Sequence, residues 1–517
     1  MDDSNCTVPQ LFRRLRPWSL AALGIVSCLN SGCQTWQKSH ESAISNFGAG
    51  DLELSKSALT DSQKSLRAEK KLLELDQAIL ELASGDIRQA EGRFRNLRHE
   101  LEFLEQKDVT EQASSMLMDS RAVAYSGRDF ERRMVLNMAL LTSVFGDGQD
   151  SFAYSLQVTE AAAKRREAIA AKLDKDTSSN HLAESHDTTL PASNISPAGF
   201  VANVSQGSLA VPTSSLDQPL ALSSYLAAAV QSESPTRYQE TESAITDIGY
   251  WNPTFLRHDK TSSGGEFGTR CEPGNGTLHV IAFVGKSPRW ISESAEPTSA
   301  ALLIADRIIS ATGKHTLPPT IASVKIAKPE PAGYLLPTGS LRCIVGPSSS
   351  APQQVAASPL TFSTVVDMHE VAQASYNEHR DQEIAAAITR RVMKKGAVYV
   401  LKETQNIHRN SLVDLGINVA GIAWEAMEKA DTRSWRMLPG RIDIARTELP
   451  AGQWTTKLQI TGYGTTGHLS SVPIHIADGR NTYILCIIPE RDFTGNILVG
   501  GADNHVVPAS NVVSETN

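Results

Sequence analysis

The spacing of apolar residues divides the chain into a helical half and a half dominated by strands. From about Ser42 to Leu173, apolar residues recur three and four positions apart between charged residues, and proline is absent. This pattern predicts helices over 42–173, and the same spacing predicts a further helix pair over 219–260. Short alternating or apolar runs then predict a β-rich region over 275–505, with helices inserted at 367–430. The pattern indicates an α+β protein.

Two segments lack this periodicity. Residues 174–218 are rich in Ser, Thr, Asn and Pro, which predicts a disordered linker. Residues 506–517 predict a disordered tail. Within the β-rich region, alternation and turn residues predict one hairpin over 441–460 and a second over 472–488. We expect these strands to form a sandwich-like domain against which the inserted helices pack.

A short motif recurs in the helical half. Gly50-Asp51-Leu52 returns 35 positions later as Gly85-Asp86-Ile87, and a helical pattern follows each copy. This period is close to that of a tetratricopeptide (TPR) repeat. The second copy fits best, because Ala90 permits close helix contact beneath Phe94. The sequence therefore predicts a TPR-like solenoid with a concave face for partner proteins. A plain helical bundle or coiled-coil hairpin is the alternative.

The first 33 residues are typical of a bacterial lipoprotein leader. Basic residues precede a short apolar run, Trp18 to Val26, which is too short to span a membrane. Ile25-Val26-Ser27-Cys28 resembles a lipobox closely, and the small Ser-Gly pair before Cys33 makes that cysteine a second lipidation candidate. An ordinary cleaved signal peptide with incidental cysteines is the alternative. Neither cysteine is followed by Asp, so we expect an outer-membrane anchor facing the periplasm.

Length and charge limit the classes of protein to which this chain can belong. A chain of 517 residues predicts two or three structural units. The net charge of -8 and the pI near 5.9 argue against a nucleic-acid-binding protein, which normally carries a basic surface. Cys271, Cys343 and Cys486 are far apart, and the chain has no CxxC motif. This excludes a zinc ribbon, and it leaves open whether two of the three form a disulfide.

The segment from Ala430 to Pro439 separates the last helical pattern from the strands that follow. We predict that it is a structural joint between two layers. Asp431 and Arg433 can pair through hydrogen bonds, and the guanidinium can lie against the ring of Trp435. A ligand-binding corner built from the same residues is the alternative.

Two motifs resemble functional motifs, one for zinc and one for a dinucleotide, but neither meets the requirements of its site. His369-Glu370-Val371-Ala372-Gln373 lacks the second histidine of a zinc-protease helix, and His379 is off that helix face. Residues 462–467 match a dinucleotide-binding fingerprint by letter, but predicted strands flank them on both sides. We therefore predict no catalytic, cofactor-binding or metal-binding residues.

Several stretches together resemble a family of uncharacterised bacterial lipoproteins. They are the lipobox, the repeat-like helices, 125–132, 285–288, and Asp431-Thr432-Arg433-Ser434-Trp435 with Leu438-Pro439 before the C-terminal β region. The resemblance implies a TPR-like helical half, a β-rich half and a location in the cell envelope. It carries no catalytic residues, because the family has no assigned activity.

These observations support two functional hypotheses. The first is a membrane-anchored periplasmic scaffold or adaptor, without catalysis, that binds other cell-envelope proteins through its helical repeats. The second is an envelope hydrolase or glycan-binding protein with a site in the β-rich half. A cluster of His, Asp or Glu in a pocket favours the second hypothesis, and an open helical surface with exposed apolar residues favours the first.

Overall fold

The computed structural model describes most of the chain between residues 40 and 509. The described ranges are 40–63, 69–115, 124–183, 214–262, 267, 271–311, 323–333, 335–348, 358–404, 430–461, 469–501 and 503–509. Over these ranges the protein is a mixed α+β structure, helical in its N-terminal half and built of β-sheets in its C-terminal half. The predicted leader with Cys28 and Cys33 lies outside the described residues, as do residues 405–429 of the predicted helical insertion and the fingerprint-like residues 462–467.

The N-terminal half is a layer of helices that pack on their neighbours in the chain. Its members are α1 (40–48), α2 (Leu52–Gln63), α3 (Lys70–Ala83), α4 (Ile87–Ser115), α5 (Asp129–Phe145), α6 (Ser151–Ala183), α7 (Gln218–Ser232), α8 (Tyr238–Trp251) and α9 (Pro253–Ser262). From α2 to α6 each helix contacts the next in sequence, and α7 packs between α6 and α8. Their apolar side chains form one large core cluster.

The C-terminal half contains twelve strands and two further helices over the described residues. The strands are β1 (Asn275–Val284), β2 (Arg289–Ala295), β3 (Val324–Glu330), β4 (Leu341–Pro347), β5 (Ser358–Leu360), β6 (Ser363–Asp367), β7 (Arg441–Pro450), β8 (Gly452–Ile460), β9 (Leu469–Ile476), β10 (Asn481–Ile488), β11 (Asn496–Gly500) and β12 (His505–Pro508). The helices are α10 (Ser299–Ala311) and α11 (Met368–Thr404). The strands form three sheets, with orders β12-β11-β10-β1-β7-β6, β5-β4-β8-β9 and β2-β3.

The six-stranded sheet is the central layer. Its two central strands, β1 and β10, run parallel, and their residues alternate between two cores. Ile281 and Phe283 belong to the helical core cluster, whereas Val280 and Ala282 belong to a second cluster. The same alternation holds along β10, in which all eight residues are buried. A strand covered on both faces reads as a continuous apolar run, which explains the sequence of β10.

The second cluster joins the six-stranded sheet to the four-stranded sheet. Its members include Val280 from β1, Cys343 from β4, Leu458 from β8, Ile474 from β9 and Ile484 from β10. The four-stranded sheet therefore contributes its apolar side chains to the face of the central sheet opposite the helices. The two-stranded sheet belongs to neither cluster as a whole, and it forms a third, smaller core with α10 and α11.

The predicted division into helices followed by strands is confirmed. Every strand from β1 to β11 lies within the region 275–505 that was predicted to be β-rich, and α11 lies within the predicted helical insertion 367–430. Gly50 and Gly85 both adopt positive φ, near +84° and +83°, and each lies in a turn directly before a helix. The turn chemistry of the repeated motif is therefore present at both copies.

Both predicted hairpins are wrong. β7 pairs with β1 and β6 in the central sheet, whereas β8 pairs with β4 and β9 in the other sheet. Likewise β9 and β10 belong to different sheets. The turns at Ala451 and at Asp478-Gly479 carry the chain from one sheet to the other. A tight turn between two alternating runs does not specify whether the second strand pairs beside the first or crosses to a facing sheet.

The structure also corrects the limits of the two predicted disordered segments. Helix α6 continues to Ala183, so the first ten residues of the predicted linker are helical, and a 3-10 turn, Ser214–Asp217, precedes α7. Strand β12 includes 506–508, so the predicted tail starts inside a strand. Residues 184–213 and 510–517 lie outside the described residues.

Gly495 provides a test of how closely the helices approach the central sheet. It has φ near +75°, and a Cβ at this position would collide with the backbone carbonyl oxygen of Ala83 at the end of α3. We expect Gly495→Ala to lower the free energy of unfolding by about 2 to 4 kcal/mol, because backbone strain and overpacking add. Chemical denaturation of the full chain measures this.

Gly479→Ala is the matched control. Gly479 has φ near +70°, but a Cβ there meets nothing within 4 Å. We expect Gly479→Ala to lower the free energy of unfolding by about 1 to 2 kcal/mol, because it introduces backbone strain without a collision. Equal destabilisation by the two variants would contradict the close approach at Ala83.

Candidate functional site

Residues 430–440, which we call the joint segment, form a buried site with several polar residues in contact with both halves of the protein. The segment has no helix or strand, and it leads directly into β7. Trp435, Met437 and Leu438 are at most 1% exposed and belong to the helical core cluster. The segment therefore lies in the contact between the helices and the central sheet.

Two buried carboxylates hold the backbone of the joint segment. The amide of Trp435 donates to Oε1 of Glu131 at 2.8 Å, and the amide of Met437 donates to Oδ1 of Asp76 at 2.9 Å. Both carboxylates are fully buried, Glu131 on α5 and Asp76 on α3. An irregular segment lacks the regular backbone hydrogen bonds of a helix or sheet. The two carboxylates therefore accept hydrogen bonds from its amides in place of backbone carbonyls.

Glu131 also organises the start of α5. Its Oε2 accepts a hydrogen bond from the amide of Arg128 at 2.8 Å, which caps the helix, and another from the hydroxyl of Tyr125. Burial raises the pKa of Glu131, and the Arg128 charge with the hydrogen bonds opposes that shift. The carboxylate thus ties the first turn of α5 to the joint segment.

Asp76 links the joint segment to the first helix. Its second oxygen is 2.6 Å from Nε2 of His40, the first described residue of α1. The neighbouring Glu41 forms an ion pair with Arg436 at 3.3 Å. Two successive residues of α1 therefore contact two successive residues of the joint segment, directly or through Asp76.

Asp431 and Arg433 form the predicted pair. Nε of Arg433 donates to Oδ1 of Asp431 at 2.8 Å, and Nη2 donates to Oδ2 at 2.6 Å. The guanidinium also lies 5.6 Å from the ring centroid of Tyr125. The indole of Trp435 contacts the ring of Phe94, with centroids 6.0 Å apart. The paired charges and packed rings are the arrangement expected of a structural lock.

A second buried polar cluster lies between α7 and the central sheet. Arg446, His279 and Tyr483 are side by side on β7, β1 and β10. The His279 ring is 1% exposed, its Nδ1 is 2.7 Å from the hydroxyl of Tyr225, and it stacks on Tyr483. Burial and the Arg446 charge lower the pKa of His279 to about 3, so the ring is neutral at ordinary pH. A neutral, enclosed imidazole has no route to a substrate.

Two ion pairs lie near the C-terminal end of β1. Nζ of Lys286 is 2.6 Å from Oε1 of Glu490, and Arg441 pairs with the buried Asp443 at 2.9 Å. His369 lies near Gly440, and burial lowers its pKa. Each of the two acids is paired with a cation; Asp443 is buried, whereas the Glu490 side chain is 41% exposed.

The described residues hold no group of three or more His, Cys, Asp or Glu that could bind a metal ion. Cys271, Cys343 and Cys486 are free thiols, and burial raises the pKa of Cys486 to about 12. Over the same part of the chain, we find no helix with the length and apolar character needed to cross a membrane. Burial also raises the pKa of the Cys271 and Cys343 thiols, so none of these three thiols is an activated nucleophile.

Sequence reasoning identified the joint segment but missed the residues that hold it. Tyr125, Arg128 and Glu131 lie in a stretch that contributed to the family resemblance, yet nothing in that stretch indicates contact with Trp435. Asp76 and His279 had no recognisable signal beyond being polar residues within apolar runs. Such interruptions are the one sequence feature that could have marked them, because buried polar residues are normally paired.

Comparisons of the chain with protein-family models, with curated proteins and with solved structures found no significant match.

Trp435→Ala tests the importance of the joint segment for stability. The indole is fully buried against Phe94. We expect a loss of about 3 to 5 kcal/mol in the free energy of unfolding, as for other buried aromatic truncations. Denaturant unfolding measures the loss, and Tyr250→Ala, which removes an exposed aromatic ring, serves as the control. A Trp435→Ala protein as stable as the control would refute the structural role.

Glu131→Gln tests the buried carboxylate through pH. Because folding raises the pKa of Glu131 above its ordinary value of 4.5, the folded state binds the proton more tightly than the unfolded state. The contribution of this group to the free energy of unfolding therefore falls as pH rises from 4.5 through the raised pKa, and then levels off. Glutamine lacks this dependence.

The measurement is the wild-type free energy of unfolding minus that of Glu131→Gln across this range. We expect the difference to decrease with rising pH. An increase would mean that folding lowers the pKa of Glu131.

Proposed function

We propose that this protein is a lipid-anchored scaffold of the cell envelope that binds other envelope proteins through the outer surface of its helical layer. The single observation that carries the proposal is a group of exposed apolar side chains on α6 and α8. Tyr238 is 67% exposed and Leu156 is 42% exposed. Next to them the guanidinium of Arg237 lies 4.2 Å from the ring centroid of Phe152. Exposed aromatic residues beside arginine are typical of protein interfaces.

The outer surface is the appropriate one because the inner surface is occupied. The helices pack their apolar side chains against the central sheet, so a concave inner face is not open to a partner. The outer surface carries further exposed apolar residues, Leu54, Phe103 and Tyr250. The sequence predicted that partner proteins bind the concave face of a solenoid. We propose that they bind the outer surface instead.

We further propose that the helices of 42–173 are related to TPR repeats and that the two larger sheets form a sandwich. The matching turns at Gly50 and Gly85, with Ala90 and Phe94 both buried, support the first idea. The apolar cluster shared by both sheets supports the second. The resemblance to uncharacterised bacterial lipoproteins and the outer-membrane location belong to the same proposal, and they depend on the leader sequence.

A hydrolase with a site in the β-rich half has less support. The polar clusters around His279 and Asp443 are buried and paired within the protein. An active site needs polar groups that a substrate can reach. The clusters around His279 and Asp443 are buried, so neither of them supports catalysis.

Site-specific crosslinking tests the scaffold. A photoreactive amino acid in place of Tyr238 or Leu156, in the full-length lipidated chain, is expected to capture one recurrent envelope protein, and Tyr238→Ala is expected to reduce its stoichiometric co-purification. Ile291, an exposed apolar residue on β2, is the matched control position. Equal capture from Ile291, or no stoichiometric partner at any position, would count against the proposal.

The anchor is tested separately. Incorporation of labelled palmitate, and its loss on inhibition of the lipoprotein signal peptidase, are expected for the native leader. Cys28→Ala and Cys33→Ala identify the acylated residue, because substitution of the correct one abolishes labelling. Labelling in neither the native chain nor either variant would refute lipid anchoring.

A further inference from the structure

We propose that the exposed edge of strand β2 pairs with the same strand of a second copy of this chain, which makes the protein a homodimer. The two strands run antiparallel about a twofold axis and join the two-stranded sheets of both copies into one sheet of four strands. This proposal goes beyond the scaffold function, because it depends on neither the lipid anchor nor the surface at Tyr238.

One edge of the two-stranded sheet, along β3, is covered. β3 carries Pro329 within its paired region, opposite Trp290. Because proline has no amide to donate, its nitrogen points away from β2, and the other odd-numbered residues of β3 point their backbone groups to the same side. On that side Nη2 of Arg391 in α11 donates to the carbonyl oxygen of Ser323 at 3.0 Å, and α11 packs along β3. Helix α11 therefore covers this edge.

The other edge, along β2, is open. In an antiparallel pair, the hydrogen-bonding groups of successive residues point to alternate sides of the strand. The even-numbered residues of β3 bond to β2, so the amides and carbonyls of Trp290, Ser292 and Ser294 point away from β3. Among the described residues, none provides a hydrogen-bond partner for these groups. Ile291, Ser292 and Ser294 are exposed, so a second strand can reach this edge.

Every other sheet edge in the described part of the chain is protected. At the edge of β6, the side-chain amide of Asn252 donates to the carbonyl oxygen of Val365 at 3.0 Å. The remaining edge strands, β3, β5, β9 and β12, each contain a proline, namely Pro329, Pro359, Pro473 and Pro508. Proline and covering side chains are common means by which proteins prevent edge-to-edge pairing. β2 contains neither proline nor lysine, so its edge is suited to pairing.

The side chains of β2 match those of their own copy in an antiparallel arrangement. Arg289, Ile291 and Glu293 lie at alternate positions on one face of the strand. With Ile291 opposite Ile291 of the partner subunit, each Arg289 lies opposite Glu293 of the partner subunit. Opposite charges then meet at both ends of the seam and apolar side chains meet at its centre, an arrangement that stabilises cross-strand pairs. This self-complementarity favours a second copy of the chain over an unrelated peptide.

The same register pairs the free backbone groups. Trp290 of each copy lies opposite Ser292 of the partner subunit, and both residues carry the groups that point away from β3. Each of these pairs can exchange both of its N–H···O bonds. Because the far edge of β3 is covered in both copies, the sheet ends there. Assembly therefore closes at a dimer and does not continue as a fibre.

Mixing two charge-reversed chains tests the pairing. Arg289→Glu places glutamate opposite glutamate in a homodimer, and Glu293→Arg places arginine opposite arginine. We expect each variant alone to dimerise at least about tenfold more weakly than the native chain. In an equimolar mixture, the heterodimer has opposite charges at both ends of the seam, so we expect it to form about as readily as the native dimer.

The mixture also controls for effects within one chain. Arg289 pairs with Glu330 and Glu293 pairs with Lys328, both on β3, so each reversal disturbs its own two-stranded sheet. That disturbance is the same with and without the second variant. Recovery of association on mixing is therefore specific to the seam, and two variants that stay monomeric when mixed would contradict the proposed register.

Sedimentation equilibrium of the full chain in a density-matched detergent measures the association, since a dimer has twice the 55.9 kDa mass of one chain. Ser292→Pro removes an outward amide without removing a bond to β3, and we expect it to abolish dimerisation. Tyr250→Ala, a change at an exposed residue outside β2, is expected to leave the dimer intact. A native chain that is monomeric up to about 100 μM, or a dimer that Ser292→Pro and both charge reversals leave unchanged, would overturn the proposal.

Crosslinking separates this dimer from the proposed scaffold function. A photoreactive amino acid at position 291 is expected to capture a second copy of the chain, whereas one at position 238 is expected to capture the envelope partner. Loss of the first product with Ser292→Pro, while the second persists, would show that the two surfaces act independently. Failure to capture a second copy from position 291 would count against the dimer and leave the scaffold unaffected.

Discussion

The structure depends on two buried carboxylates that accept backbone amides. Asp76 and Glu131 bond to the amides of Met437 and Trp435, which are 361 and 304 positions away in the chain. A buried carboxylate is costly unless hydrogen bonds compensate for its lost hydration, and each of these has several partners. Their bonds join the helical half to the segment that begins the last set of strands. The two halves are therefore parts of one packed body along this contact.

The central sheet explains why such a contact is needed. Helices cover one of its faces, and the four-stranded sheet contributes side chains to the core on the other. The chain crosses between these layers repeatedly. The crossings at Ala451 and Asp478 are exposed turns, whereas the joint segment carries backbone groups through the interior. Side chains supply the hydrogen-bond partners for the backbone of the joint segment. At the other crossings, tight turns at the edges of the sheets supply those partners. Polar residues in the core thus follow from the layered architecture and do not by themselves indicate catalysis.

Local sequence patterns predicted the elements well and their partners poorly. Helical periodicity and apolar runs located most helices and several strands, because both are set by which side chains face a core. Strand pairing is not set locally, and β7 and β8 are separated by a single residue, Ala451, yet belong to different sheets. The joint segment was recognisable from its own residues. Its partners Asp76 and Glu131 were not, because a contact over hundreds of positions leaves no trace in the spacing of a single sequence.

The contrast between enclosed and exposed residues bears on function. The titratable clusters at His279, Asp443 and Glu131 are buried and bonded within the protein, and burial raises or lowers their pKa values toward the neutral form. A buried group takes part in acid–base chemistry only where a substrate can reach it. Large exposed apolar residues occur both on helices whose other side is already packed and in the C-terminal half, at Ile291, Leu303 and Val506. Apolar residues scattered singly over a surface are normal, so only those that group together, as proposed for Tyr238 and Leu156, would indicate a binding surface.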